Sequence, residues 1–240
     1  MTQSEVIKAE LAARWMAYRP QGETSRHIRD VSIGMIIGPT CVGKSTVIKE
    51  VVALDPEFSN PGGFTDRKLR PSDAKSYRQL RTDEESLGEF LEAVKRGEPV
   101  QYMVYDTGHI YGSEVRDYQT PFSVLDTVFR SVDNLRNVGF KSTTPIALSA
   151  DPDQYVRQLR ARFGNDFSSE EVTVRLNEAV MSLEWALEQK DDINWVLNRP
   201  DEADQAAREV IGLVRGYFEP LKSRRLSGER LLKRIKDIKN

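Results

Sequence analysis

Residues 31–45 read VSIGMIIGPTCVGKS, and this stretch decides the fold. The first seven are apolar or small and rich in β-branched residues, the composition of a strand buried on both faces of a parallel sheet. Gly38-Pro39-Thr40-Cys41-Val42-Gly43-Lys44-Ser45 then satisfies GxxxxGK[ST] at every fixed position. Beyond it, Val47, Ile48 and Val51 fall at helical spacing before Pro56, so the motif sits between a strand and a helix. That context gives each residue type a task. Glycines let the backbone curl until successive N–H groups face phosphate oxygens, the helix N-terminus adds positive potential, Lys44 reaches the β- and γ-phosphates, and Ser45 offers a hydroxyl to Mg²⁺.

Outward from this loop, strand and helix patterns alternate. FSVLD (122–126) and PIALS (145–149) read as buried strands, and INWVLN (193–198) as a last one. Thr82-x-x-Glu85 has the spacing of a capping box ahead of Leu87, Phe90, Leu91 and Val94, and Gly97 stops that helix. Asp151-Pro152 caps a helix through Arg162, a long helix runs over about 169–190, and Pro200 is expected to open another that ends near Phe218. The expected class is α/β, a doubly wound parallel sheet with ligands at the carboxyl ends of its strands.

Composition bounds what such a domain does. The 240 residues are 39% apolar and 30% charged, enough for a sizeable core. One cysteine, Cys41, excludes an intrachain disulfide, and two histidines, His27 and His109, fall short of a zinc-ligand set. A reducing, cytoplasmic setting is expected. No apolar run approaches the roughly 18 residues of a membrane span, and the N-terminus lacks the pattern of an export signal. The net charge of −2 makes no case for a polyanionic partner, although residues 219–240 carry +5 against −7 for the rest, leaving nucleic acid open only through this basic tail. Residues 4–17 form an amphipathic pattern, with Ile7, Leu11 and Trp15 at i, i+4 and i+8, for packing on the chain's own domain or for a dimer contact. Leu231, Ile235 and Ile238 give the tail an apolar stripe of the same kind. Monomer and homodimer both remain open.

After the first strand-helix unit comes Thr65-Asp66-Arg67-Lys68-Leu69-Arg70-Pro71-Ser72-Asp73, followed by Tyr77. Two arginines three apart suit a phosphate, because planar guanidinium groups match its oxygens bidentately. This segment resembles the T-T-R-x-P-R-P-G-E signature of guanylate kinases, and Gly108-His109-Ile110-Tyr111-Gly112-Ser113 resembles their G-N-Y-Y-G-[ST] element. The resemblance covers about residues 30–216. It implies a P-loop kinase domain over 28–218, with an acceptor-binding insert at about 62–113 and a helical lid at about 161–174, flanked by a helical extension (1–27) and the tail (219–240).

By the same resemblance, Gly38, Thr40, Cys41, Val42, Gly43, Lys44, Ser45 and Thr46 hold the phosphates of ATP, and Asn198 lies at its adenine. Arg67, Arg70, Tyr77, Tyr111 and Ser113 receive the acceptor. Lys44, Arg162 and Arg175 act on the transferring group, with Arg157 or Arg160 near a third arginine position. Ser45 and Asp126 serve Mg²⁺; the alternative for Asp126 is a capping role. The implied reaction is ATP-dependent phosphorylation of a small phosphorylated acceptor, a nucleoside monophosphate by family default (ATP and GMP giving ADP and GDP). A ribose bisphosphate kinase-like enzyme and a catalytically silent binding module are the alternatives. The family's base-reading positions fall on Tyr102, Val128 and Gly63, and only Ser113 keeps its type. Guanine presents donors at N1 and its exocyclic amine, so the missing acceptors argue against strict guanine selection.

Overall fold

The computed structural model describes residues 2–69, 77–105, 107–165, 167–189, 192–218 and 224–239. They divide into two compact units, one of Met1–Ser32, Pro61–Ser123 and Asp133–Ser142, the other of Ile33–Asn60, Val124–Val132 and Thr143–Asn240.

In the first unit, α1 (Gln3–Arg14) begins at a capping box in which Thr2 and Glu5 satisfy each other's backbone N–H groups. The sheet of this unit uses β3 (Gly63–Thr65), β4 (Tyr77–Gln79), β5 (Gln101–Val104) and β6 (Ile110–Ser113) in the order β4-β3-β6-β5. β3 runs parallel to β4, whereas β6 is antiparallel to both its neighbours. Helix α4 (Glu84–Lys95) turns Leu87, Phe90, Leu91 and Val94 inward. Its start corrects the sequence expectation by one residue: Asp83, not Thr82, is the cap, accepting the Ser86 amide at 3.0 Å. Gly97 follows the helix at φ 74°, the left-handed turn that a side chain would resist.

Ile7 and Leu11 of α1 join Phe64, Phe90, Tyr102 and Ile110 in one core, so the N-terminal apolar stripe packs on its own unit. Tyr102 is fully buried, its hydroxyl donates to the Leu11 carbonyl at 3.0 Å, and burial pushes its phenol up to about 12.

The second unit is built on a sheet whose order is β2 (Phe58–Ser59), β7 (Phe122–Asp126), β1 (Ser32–Ile37), β8 (Ser142–Ala150) and β9 (Asn194–Asn198). All six residues of β1 are buried, as its apolar run requires. β8 and β9 pair in parallel, from Ile146 opposite Asn194 to Ala150 opposite Asn198. Chain order departs from spatial order around β1, which takes crossovers of the doubly wound kind. Helix α3 (Lys44–Leu54) buries Val47, Ile48 and Val51 and packs on α8 (Ala203–Arg215). Asp151 caps α6 (Pro152–Phe163) by accepting from the amides of Asp153 and Gln154, and Ser169 caps α7 (Glu170–Glu188).

The start of α8 also corrects the sequence reading. Pro200 does not open it, because Asp201 takes φ 57°, a left-handed conformation that no helix continues through, and the helix begins at Ala203.

Helix α9 (Arg224–Lys239) lies against α7 and β9, burying Leu231 and Ile235. Its approach is set by Gly228: a Cβ there would stand 2.2 and 2.4 Å from two ring carbons of Trp195. Helix propensity alone would make Gly228→Ala stabilising by about 1 kcal/mol. The indole is buried, at 5% exposure, so the substitution is expected to destabilise by about 1–3 kcal/mol through overpacking. A rise in melting temperature would show that α9 is not seated on Trp195.

Candidate functional site

The glycine-containing loop 38–43 joins the end of β1 to α3. Gly43 stands before the helix at φ 97°, and its carbonyl accepts the amides of Thr46 and Val47, both at 3.0 Å, which starts the helical ladder. Cys41 also has positive φ, 64°. Lys44 folds its ammonium over the loop, donating to the carbonyls of Gly38 at 2.8 Å and Pro39 at 3.1 Å. Its Nζ lies 3.8 Å from the carboxylate of Asp126, the last residue of β7. Asp126 keeps half of its side-chain surface open to water; loss of solvent from its other half raises its pKa, and the Lys44 ammonium opposes that rise. Ser45 and Thr46 are exposed in the first turn of α3, while Thr40 is half-buried.

Asn198 ends β9 and is 4% exposed. Its Nδ2 donates to the Val42 carbonyl at 3.0 Å, and its Oδ1 is buried without a partner among the described residues. The residue expected at the adenine thus braces the loop itself. The fit is close enough that a Cβ on Gly43 would meet Asn198 Nδ2 at 2.2 Å. Alongside lies a cavity of about 390 Å³, with Gly43, Thr46, Gln154, Gln158, Asn198 and Arg199 among its lining residues. That volume falls in the range of small-molecule sites.

The arginines expected in a lid sit on α6 and α7. Arg162 is exposed in the last turn of α6, with its guanidinium 5.3 Å from the Phe163 ring centre. Arg175 on α7 is paired with Glu178 at 2.9 Å, and Arg157 and Arg160 are exposed on α6.

In the first unit, Arg67 follows β3, and its Nε donates to the Tyr111 hydroxyl at 2.9 Å. The ring of Tyr111 meets those of Tyr77 and Tyr105 edge to face, at 6.0 and 5.1 Å. Arg67, Tyr77 and Tyr111 are therefore neighbours; Arg70 lies outside the described residues. Ser113 is set apart. It is 2% exposed, its Oγ is 3.0 Å from the Tyr118 hydroxyl, and it accepts from Gln101 Nε2 at 3.3 Å.

Sequence reasoning gave Asp66 and Lys8 no part. The Asp66 side chain is 1% exposed, yet it accepts from Lys8 of α1, from the Ile110 amide at 2.8 Å and from His109 Nδ1 at 3.1 Å. A carboxylate between Thr65 and Arg67 was the visible hint; its lysine, 58 residues away, had none.

Compared with known proteins, the chain is 29% identical over 191 residues to a guanylate kinase of Frankia casuarinae, an alignment that spans 78% of this chain and 98% of that protein. The chain resembles guanylate kinases. No family model matches it. Among solved structures, a guanylate kinase from Anaplasma phagocytophilum aligns with a TM-score of 0.46 at 16% identity, covering 81% of this chain and 88% of that one. The guanylate kinase likeness in sequence runs through both units, since 78% of the chain exceeds either one.

Proposed function

We propose that the chain transfers the γ-phosphoryl group of ATP to a phosphate oxygen of a small phosphorylated acceptor. The observation that carries this reading is the loop constellation: Lys44 in the first turn of α3, its ammonium 3.8 Å from Asp126, on a loop braced by Asn198. The second unit takes the donor, its phosphates on the loop amides and Lys44, with the adjoining cavity for the base. Arg67 and Tyr111 in the first unit take the acceptor's phosphate. Such a transfer forms no covalent enzyme intermediate and depends on positioning and on neutralising the equatorial oxygens. A silent binding module is disfavoured by the intact Gly43-Lys44-Ser45.

Mg²⁺ fits the donor set. Ser45 and Asp126 offer a hydroxyl and one carboxylate, oxygens that suit a hard cation held chiefly by nucleotide phosphates and water. Among the described residues, no group of three or more His, Cys, Asp or Glu could hold a metal without such help. Bound there, Mg²⁺ would neutralise charge on the phosphates; Ser45 and Asp126 would hold it.

A nucleoside monophosphate is the acceptor that the guanylate kinase relative supports. The base-reading positions support weak selection among bases: Tyr102 is in the core, Gly63 has no side chain, and Ser113 is committed to Tyr118 and Gln101. These same commitments favour, as a second reading, an acceptor with no base, such as ribose 1,5-bisphosphate. Purified protein with MgATP and each of GMP, dGMP, AMP, CMP, UMP and ribose 1,5-bisphosphate is the test. We expect kcat/KM for GMP to lie within about a thousandfold of the best other acceptor, since a larger ratio needs roughly 4 kcal/mol of differential binding from base readers. GMP beyond that margin would mean that other residues read the base. Turnover of none of the six would overturn the proposed reaction for this acceptor class.

A further inference from the structure

Asp66 is a buried carboxylate next in sequence to an arginine assigned to phosphate, and a negative charge so placed works against anion binding unless it is answered. Two departures from the guanylate kinase pattern meet at it. Asp66 stands where the T-T-R signature has its second threonine, and Lys8, which answers its charge, comes from the helix that precedes the region of resemblance. The Asp66 backbone is engaged as well, its amide donating to the Ile110 carbonyl at 3.2 Å while its carboxylate accepts the Ile110 amide. The carboxylate thus clamps the turn after β3 to β6, the strand that carries Tyr111, the partner of Arg67.

We propose that Lys8 is a positioning residue of the acceptor-phosphate site: by neutralising Asp66 it holds the Thr65–Arg67 turn in register and keeps the potential at Arg67 positive. The N-terminal helix is then part of that site and not only a cover for the core. The inference rests on the assignment of Arg67 to the acceptor's phosphate.

A purely structural role for Lys8 makes a different prediction, because Ile7, Leu11 and the Tyr102–Leu11 hydrogen bond anchor α1 without it. The test compares Lys8→Met, Lys8→Arg and the double variant Lys8→Met/Asp66→Asn in acceptor kinetics and melting temperature. Lys8→Met should raise the acceptor KM about tenfold, a coupling of the size that contacting residues show, with kcat within about twofold. Lys8→Arg should restore KM. The double variant, with no charge left to answer, should also return KM towards wild type, and it replaces the single variant if Lys8→Met does not fold. An unchanged KM in Lys8→Met, or a KM in the double variant as high as in the single, would overturn the proposal. Failure of the phosphotransfer reading looks different: wild type would release no acceptor-dependent ADP. GMP binding measured by calorimetry without ATP then makes the same comparison, and equal binding by wild type and Lys8→Met, or none by either, overturns the inference.

Discussion

Lys44→Ala is expected to lower ATP-dependent phosphorylation by about 100- to 1,000-fold, the usual loss when one charge-stabilising donor is removed from a phosphoryl or acyl transfer site. Its fold should survive. Among the described residues, the ammonium bonds only the carbonyls of Gly38 and Pro39 and faces Asp126 at 3.8 Å. We expect the melting temperature to move by no more than a few degrees, since a net hydrogen bond is worth about 1 kcal/mol. Steady-state ADP release with a saturating acceptor checks the rate. Unchanged turnover would remove Lys44 from the mechanism and, with it, the main support for the proposed function.

The second large effect is expected at Gly43. Its φ of 97° costs a residue with a Cβ about 1–2 kcal/mol. The Cβ would also stand 2.2 Å from Asn198 Nδ2, so the amide must withdraw and release the Val42 carbonyl. Gly43→Ala should therefore weaken MgATP binding by roughly 100-fold, which corresponds to about 2.7 kcal/mol, measured by calorimetry. A double variant with Asn198→Ala separates the two causes. Removing the amide removes the collision but also the brace, so the double variant should recover stability without recovering affinity. Normal MgATP affinity in Gly43→Ala would show that the loop does not need this backbone conformation.

The parts legible in the sequence were those encoded locally. β1, the loop and α3 are one continuous segment in which hydrophobic run, glycine spacing and helical periodicity agree, and the structure follows them to within one residue at each start. Where two neighbours could do one task, the reading slipped: Thr82 and Asp83 can each cap α4, and only the backbone path selects Asp83. At Pro200 the local rule for helix starts lost to a left-handed residue one step later. Contacts between distant segments left no trace in the pattern. Nothing in the spacing of Asn198 reveals that its amide grips Val42, nor in Lys8 that it reaches Asp66, because both partners are chosen by tertiary packing.

The sequence separation of 156 residues between Asn198 and the carbonyl it braces also sets an order of events during synthesis. The loop is made first, as part of a strand, turn and helix that are locally complete, and its clasp follows 156 residues later. At synthesis rates of about 5–20 residues per second, the nascent loop waits on the order of ten seconds for its clasp. During that interval the growing chain carries an unclamped loop, so on the proposed function ATP is expected to stabilise the finished fold and not the nascent one.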